Sequence, residues 1–236
     1  MQVKVNLREI VDINKIFNFR FRFQNLLIWI LLYIVASPLL GFFPHAEIFV
    51  QLLFTVVLIS AVYAINQQTT LMCSALVLMI LTTILIWCHV LNLFKISGVM
   101  INVVLLTYLG LIVVAFGRYV FVAKRVDAEL IAAALCFYLL MGLFGGEVFL
   151  LLETLAPGSF AGSNLVQVTS FQGKSEIFQY FSFTTMTTLG YGDITPQTSV
   201  AMAFCQVEAI LGQFFIAVLV ARLVGIQVAQ SFTESK

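Results

Sequence analysis

The chain has 236 residues, of which 61% are hydrophobic and only 10% charged, whereas about a quarter are charged in a soluble globular domain. Such a composition belongs to an integral membrane protein. A formal net charge of +1 offers no basic stripe to neutralise phosphates, which excludes a nucleic-acid partner.

Residues 1–22 carry Lys4, Arg8, Lys15, Arg20 and Arg22, too much charge for the apolar core of a cleaved signal peptide. The first apolar run, 23–43, is therefore read as a retained helix. Phe17, Phe19, Phe21 and Phe23 interleave with Arg20 and Arg22, a pattern that fits either a segment lying along the inner membrane surface or a solvated tail. The run 48–94 is too long for one crossing of about 20 residues, and Asn66-Gln67-Gln68-Thr69-Thr70 divides it into a second and a third helix. Residues 96–117 give the fourth helix, 130 to about 152 the fifth, and 199 to about 225 the sixth. Cys73, Cys88, Cys136 and Cys205 all lie inside apolar runs, as small packing residues do, and suggest neither a disulfide framework nor a metal cluster. Arg118, Lys124 and Arg125 lie between the fourth and fifth helices, and Arg222 and Lys236 lie toward the far end of the sixth and beyond it. With the five N-terminal ones these are ten of the twelve basic residues, and all ten are cytoplasmic if both termini lie inside. The expected location is a plasma membrane, the inner one in a bacterium.

Between the fifth and sixth helices a polar stretch, 153–174, reads as an exposed outer loop. Ser175 is then placed to cap a helix with Glu176 in its first turn. Residues 178–187 are apolar and aromatic but too few to span, which fits a re-entrant half helix whose C-terminal end points at the membrane centre. The partial negative charge of that end favours a cation. Next comes Thr187-Thr188-Leu189-Gly190-Tyr191-Gly192-Asp193. An ion crossing a membrane must shed water, and a row of carbonyls replaces that water only if successive peptides point inward; glycines at alternate positions, here Gly190 and Gly192, allow this. T-L-G-Y-G is one residue away from the T-V-G-Y-G loop of potassium channels. With the leading Thr-Met-Thr-Thr and the trailing Asp193, the segment resembles the selectivity filter of the tetrameric cation channels, the potassium channels in particular.

The resemblance implies an all-α membrane protein with six transmembrane helices, a re-entrant pore helix and a filter loop, assembled as a homotetramer in membrane lipid. Potassium ions would be its permeant species, with no cofactor. The carbonyls of Thr188, Leu189, Gly190 and Tyr191, with the Thr188 hydroxyl, are the expected ion ligands, and Gly192 completes the filter. Thr184, Thr187, Asp193 and Glu208 are expected to support it. Leu189 and Tyr191 should turn their side chains away from the pore and onto the half helix. Gly212, 22 residues after Gly190, matches the glycine at which inner helices of this family bend; a glycine that permits close helix packing fits equally well. The Pro-x-Pro kink of many voltage-gated members is missing, since Leu219-Val220-Ala221 occupies that region. The detailed resemblance covers 147–225, and the layout divides the chain into an N-terminal cytoplasmic segment 1–22, a four-helix sensor-like domain 23–125, a pore domain 126–225 and a short cytoplasmic tail 226–236.

A voltage sensor carries several Arg in the fourth helix, because each charge crossing the field yields about 2.3 kcal/mol per 100 mV. Residues 96–117 contain no Arg or Lys. The expectation is a channel without steep intrinsic voltage gating, and with about a dozen residues after the sixth helix, one regulated otherwise than through a tail domain. Glu208 lies roughly 14 Å below the outer end of the sixth helix, at the depth of Thr184 and Thr185. It is expected to be buried behind the filter, protonated and hydrogen-bonded to those hydroxyls; the alternative is a vestibule charge that attracts cations. Three rival functions are weighed. A weakly selective cation channel of the same fold would be betrayed by loss of Tyr191 or Gly192, and both are present. An enzyme built on Cys88 and His89 with Glu147 or Glu208 has a poor dyad, because adjacent helical residues point apart. A secondary transporter would show paired broken helices, and one discontinuous segment is visible.

Overall fold

The computed structural model describes residues 22–40, 46–65, 69–91, 93–94, 96–123, 125–168 and 170–234. The N-terminal Phe/Arg segment, the polar turn at 66–68, Lys95, Lys124 and Lys236 lie outside these residues. Among the described residues, six helices are long and apolar enough to cross a membrane: α1 (Arg22–Leu40), α2 (Ala46–Ala64), α3 (Thr69–Val90), α4 (Gly98–Val122), α5 (Ala128–Leu155) and α8 (Ser199–Glu234). The last continues well beyond 225, so the residues expected as a tail are helical through 234.

One core runs through α1 to α5 and takes in Phe215 of α8. Phe23 of α1 meets Phe116 edge-on at 5.5 Å and Tyr119 at 4.8 Å, which ties α1 to α4. Asp127 caps α5 by accepting from the Leu130 amide at 2.8 Å. α1 and α4 pack against α5 of the same chain, and the link from Val122 to Ala128 between α4 and α5 is short. At the far end of α8, Arg222 donates to the carbonyls of Val120 and Ala123 in the last turn of α4, where a cation complements the helix dipole.

The segment expected as an outer loop holds a strand β1 (Phe160–Gly162), a short helix α6 (Ser163–Gln167) and the start of α7 (Phe171–Met186). β1 pairs antiparallel with β2 (Ile194–Pro196), Ala161 opposite Thr195. This ribbon brackets the segment between α7 and α8. Phe149, Phe160, Phe178 and Phe181 fill the space beneath it, with ring centroids 5.1–5.5 Å apart. The re-entrant helix is longer than the sequence implies, because Ser170 caps it by accepting from the Gly173 amide at 3.2 Å. Ser175 is not the cap. It falls inside the helix, and its hydroxyl turns to Glu147 instead.

α7 is seated against α5. Ser175, Gln179 and Ser182 are spaced four and three apart and share one face; a side chain at Gly146 of α5 would come within 2.7 Å of Gln179 Cα. α8 buries a single stripe, Ala201, Cys205, Glu208, Gly212, Phe215, Leu219 and Arg222, at the same alternating spacing. Its apolar window is only 11% buried, against 50% for α5. Val200, Phe204, Val207, Leu211, Phe214 and Val218 form a second stripe at that spacing that is open in the single chain.

Candidate ion-conduction site

The end of α7 delivers the chain into the glycine-containing segment. The amides of Thr187 and Thr188 donate to the carbonyls of Phe183 and Thr185, each at 3.0 Å. The Thr184 carbonyl then accepts twice, from Leu189 at 2.9 Å and from Gly190 at 3.1 Å. Helical carbonyls at a C-terminus lack partners within the helix, and here the following segment supplies them. Its first amides are thereby fixed while its carbonyls stay uncommitted.

Backbone angles alternate along this segment. Thr188, Gly190 and Gly192 have φ of 59°, 51° and 79°, whereas Leu189 and Tyr191 lie on the negative side. A reversal of φ at every residue turns each peptide over relative to a regular strand. At Gly190 and Gly192 nothing lies within 4 Å of where a side chain would begin, so the glycines are required by conformation and not by space. Thr188 holds a left-handed φ without being glycine, a strain of about 1 kcal/mol or more that is found where neighbours over-determine the backbone.

Each residue expected to support the segment has an identifiable contact. Thr184 acts through its carbonyl, while its hydroxyl donates to the Phe181 carbonyl at 2.9 Å. The Thr187 hydroxyl is tied back to the Phe183 carbonyl at 2.6 Å. Asp193 accepts from the Tyr180 hydroxyl at 2.9 Å and from the Ile194 amide at 3.1 Å, which anchors the far end of the segment to α7. Desolvation and the Asp193 carboxylate push the Tyr180 phenol up to about 12, so it keeps its proton and remains the donor. The Leu189 and Tyr191 side chains are 55% and 68% exposed in the single chain and line, with α1 and α7, a cavity of about 720 Å³.

Glu208 departs from expectation. It is half-buried, and its partner is Ser182, whose hydroxyl lies 2.5 Å from Oε1 and 2.6 Å from the Gly142 carbonyl; Thr184 and Thr185 do not bond it. Depth counting gave the right height on α7 but not the side of the helix that faces α8. Gly212 sits where α8 meets the end of α7, and a side chain there would collide with the Met186 carbonyl. α8 runs through it without a break, so the close-packing reading has a direct contact behind it. The next residue, Gln213, donates to the Thr188 hydroxyl at 3.4 Å.

Tyr180, Ser182 and Gln213 were missed from sequence. Ser182 had a signal, since Ser175, Gln179 and Ser182 mark one polar face on an otherwise aromatic helix. The residues considered for an enzyme are engaged elsewhere: His89 packs edge-on against Phe171 at 5.8 Å, and Glu147 is enclosed by Asn102, Ser175 and Gln179. Among the described residues no group of His, Cys, Asp and Glu has metal-site geometry.

Residues 131–228 match a family model described as "Ion channel". No curated protein and no solved structure matches the chain. The match runs from α5 into α8, so it takes in the whole bracketed segment and leaves the first four helices outside. It points to a protein that conducts and does not catalyse. With its six long apolar helices, this is an all-α, multi-pass membrane protein whose last two-fifths is similar to an ion channel.

Proposed function

We propose that the chain is one subunit of a homotetrameric potassium channel whose filter is Thr188-Leu189-Gly190-Tyr191-Gly192. The alternation of φ at 188, 190 and 192 carries this reading, because it directs carbonyls from successive residues to one side, as a dehydrated cation requires. One strand supplies one wall, so four chains are needed to close the ring. The open apolar stripe on α8 gives the neighbours a surface to cover. Residues 126–225 form the pore domain, 23–125 a sensor-like domain without gating charges, and 1–22 and 226–236 the cytoplasmic ends in a plasma membrane.

Glu208 serves as a support in its neutral form. A hydroxyl owns one proton, so Ser182 can bond both the Gly142 carbonyl and Glu208 Oε1 only when the carboxyl supplies the second.

The chain purified into liposomes should pass potassium, with block by barium, and exclude sodium. Equal sodium and potassium permeability would overturn the selectivity and leave a weakly selective cation channel of the same fold, to which the bulk of Leu189 would contribute. In a planar bilayer the open probability should change little with voltage, since residues 96–117 carry no Arg or Lys and Arg118 is the single charge within α4, too little for steep gating work; a steep curve without blocking ions would contradict this.

A further inference from the structure

A second polar centre lies away from the filter, where α4 and α5 meet α7. Glu147 of α5 has no exposed surface, and Asn102, Ser175, Gln179 and Tyr33 around it are nearly as buried. Asn102 of α4 donates through Nδ2 to Glu147 Oε2 at 2.6 Å and to the Glu147 carbonyl at 3.2 Å. Ser175 and Gln179 of α7 donate to Oε1 at 2.6 and 3.3 Å. Gln179 also donates to the Ser175 hydroxyl at 3.1 Å, and its Oε1 accepts from the Tyr33 hydroxyl of α1 at 2.9 Å. Three helices meet at one carboxyl, and α1 joins them through Tyr33 and Gln179.

We infer that Glu147 is a positioning residue for the filter, and that through Tyr33 and Asn102 it is the point at which the first four helices act on the pore. This rests on the reading of 188–192 as the filter. Apolar side chains fill the rest of the core shared by α1, α4 and α5, and they tolerate small slides; a buried hydrogen-bond network has one satisfied arrangement. At the same level α5 and α7 touch backbone to backbone, because Gly146 leaves no gap beside Gln179. A displacement of α1 or α4 at the carboxyl therefore moves α7 as a body. Five residues along that helix from Gln179, about 7.5 Å, the Thr184 carbonyl holds the amides of Leu189 and Gly190. The path from the four-helix domain to the filter base is a continuous series of short polar contacts and one rigid helix. A domain whose fourth helix carries a single basic residue, Arg118, thus has a part to play as a brace on the filter.

The test uses the full chain in planar bilayers, with Tyr33→Phe, Asn102→Leu and Glu147→Gln compared with the unmodified channel. Each variant should assemble to the same size in detergent and keep its unitary conductance, while the ratio of open to closed time falls by about five- to thirtyfold, the scale of one lost buried hydrogen bond. Raising external potassium should restore the open ratio, because ions in the filter hold its carbonyls in place. Tyr33→Phe and Asn102→Leu together should fall short of the product of their separate effects, since they converge on one network. If Glu147→Gln fails to assemble, Tyr33→Phe, which removes a single hydroxyl, still decides. Variants that only lower the yield of folded oligomer, with every surviving channel gating as the unmodified one does, would show packing alone and overturn the inference. An unmodified chain without potassium-selective flux overturns the filter reading and this inference with it. A selective chain whose variants gate unchanged overturns this inference alone.

Discussion

Two glutamates meet the re-entrant helix, Glu147 from α5 and Glu208 from α8, and the surroundings of their carboxyls differ in kind. Three side chains donate to Glu147, which is fully enclosed by its own chain. Glu208 is half-buried, a single hydroxyl reaches its Oε1, and its buried Oε2 has no partner among the described residues. Two donors share Glu147 Oε1 and make it tolerant of losing either one, whereas a single contact makes both partners depend on it. The contrast follows from position: α5 lies between the four-helix domain and α7, while most of α8 faces outward from the single chain.

If residues 188–192 are the filter, as proposed, that segment sets the upper limit for either glutamate, because both reach it only through α7. Gly190→Ala or Gly192→Ala should abolish selectivity, seen as a reversal potential that no longer follows the potassium gradient. The space around both residues is open, so the effect would come from the positive φ alone. Retained selectivity in both variants would remove the filter as the common target.

Next in size, Ser182→Ala should lower stability by about 1–3 kcal/mol, the cost of leaving buried groups unsatisfied, while Ser175→Ala should cost only about 0.5–1.5 kcal/mol because Asn102 and Gln179 still serve Glu147. Thermal unfolding of the assembled protein measures both. Equal losses, or a larger one at Ser175, would erase the difference in redundancy. Smallest of all is Glu208→Gln, whose amide can donate to Ser182 as the neutral carboxyl does. Current should stay near normal. A conductance loss that high salt rescues would instead make Glu208 a charge exposed to the ion path.

Much of this was legible in the sequence, for a local reason. Uncharged runs longer than a membrane crossing located all six spanning helices to within a few residues at most ends, since burial in lipid acts on each segment independently. The segment 188–192 was likewise identifiable from its own residues, because positive φ at alternate positions is a property that glycine spacing encodes. Capping was less certain. Ser170 and Ser175 are both good caps by type, and the choice between them fell to Glu147, which engages Ser175 from another helix.

What only the tertiary structure decided is the set of contacts across helices. Depth placed Glu208 level with the lower turns of α7, yet Ser182 and not Thr184 or Thr185 faces it, because rotation about a helix axis is fixed by the packing of the helix and not by its height in the membrane. The Glu147 network joins residues as far apart as Tyr33 and Gln179, 146 positions distant in the chain, and no local pattern announces such a meeting. The sequence by itself determined which segments are long and apolar enough to cross a membrane and where the backbone alternates at glycines. The packing of α1, α4 and α5 around α7 determined what holds that segment, since a buried polar group is satisfied only by whichever neighbours the fold brings within reach.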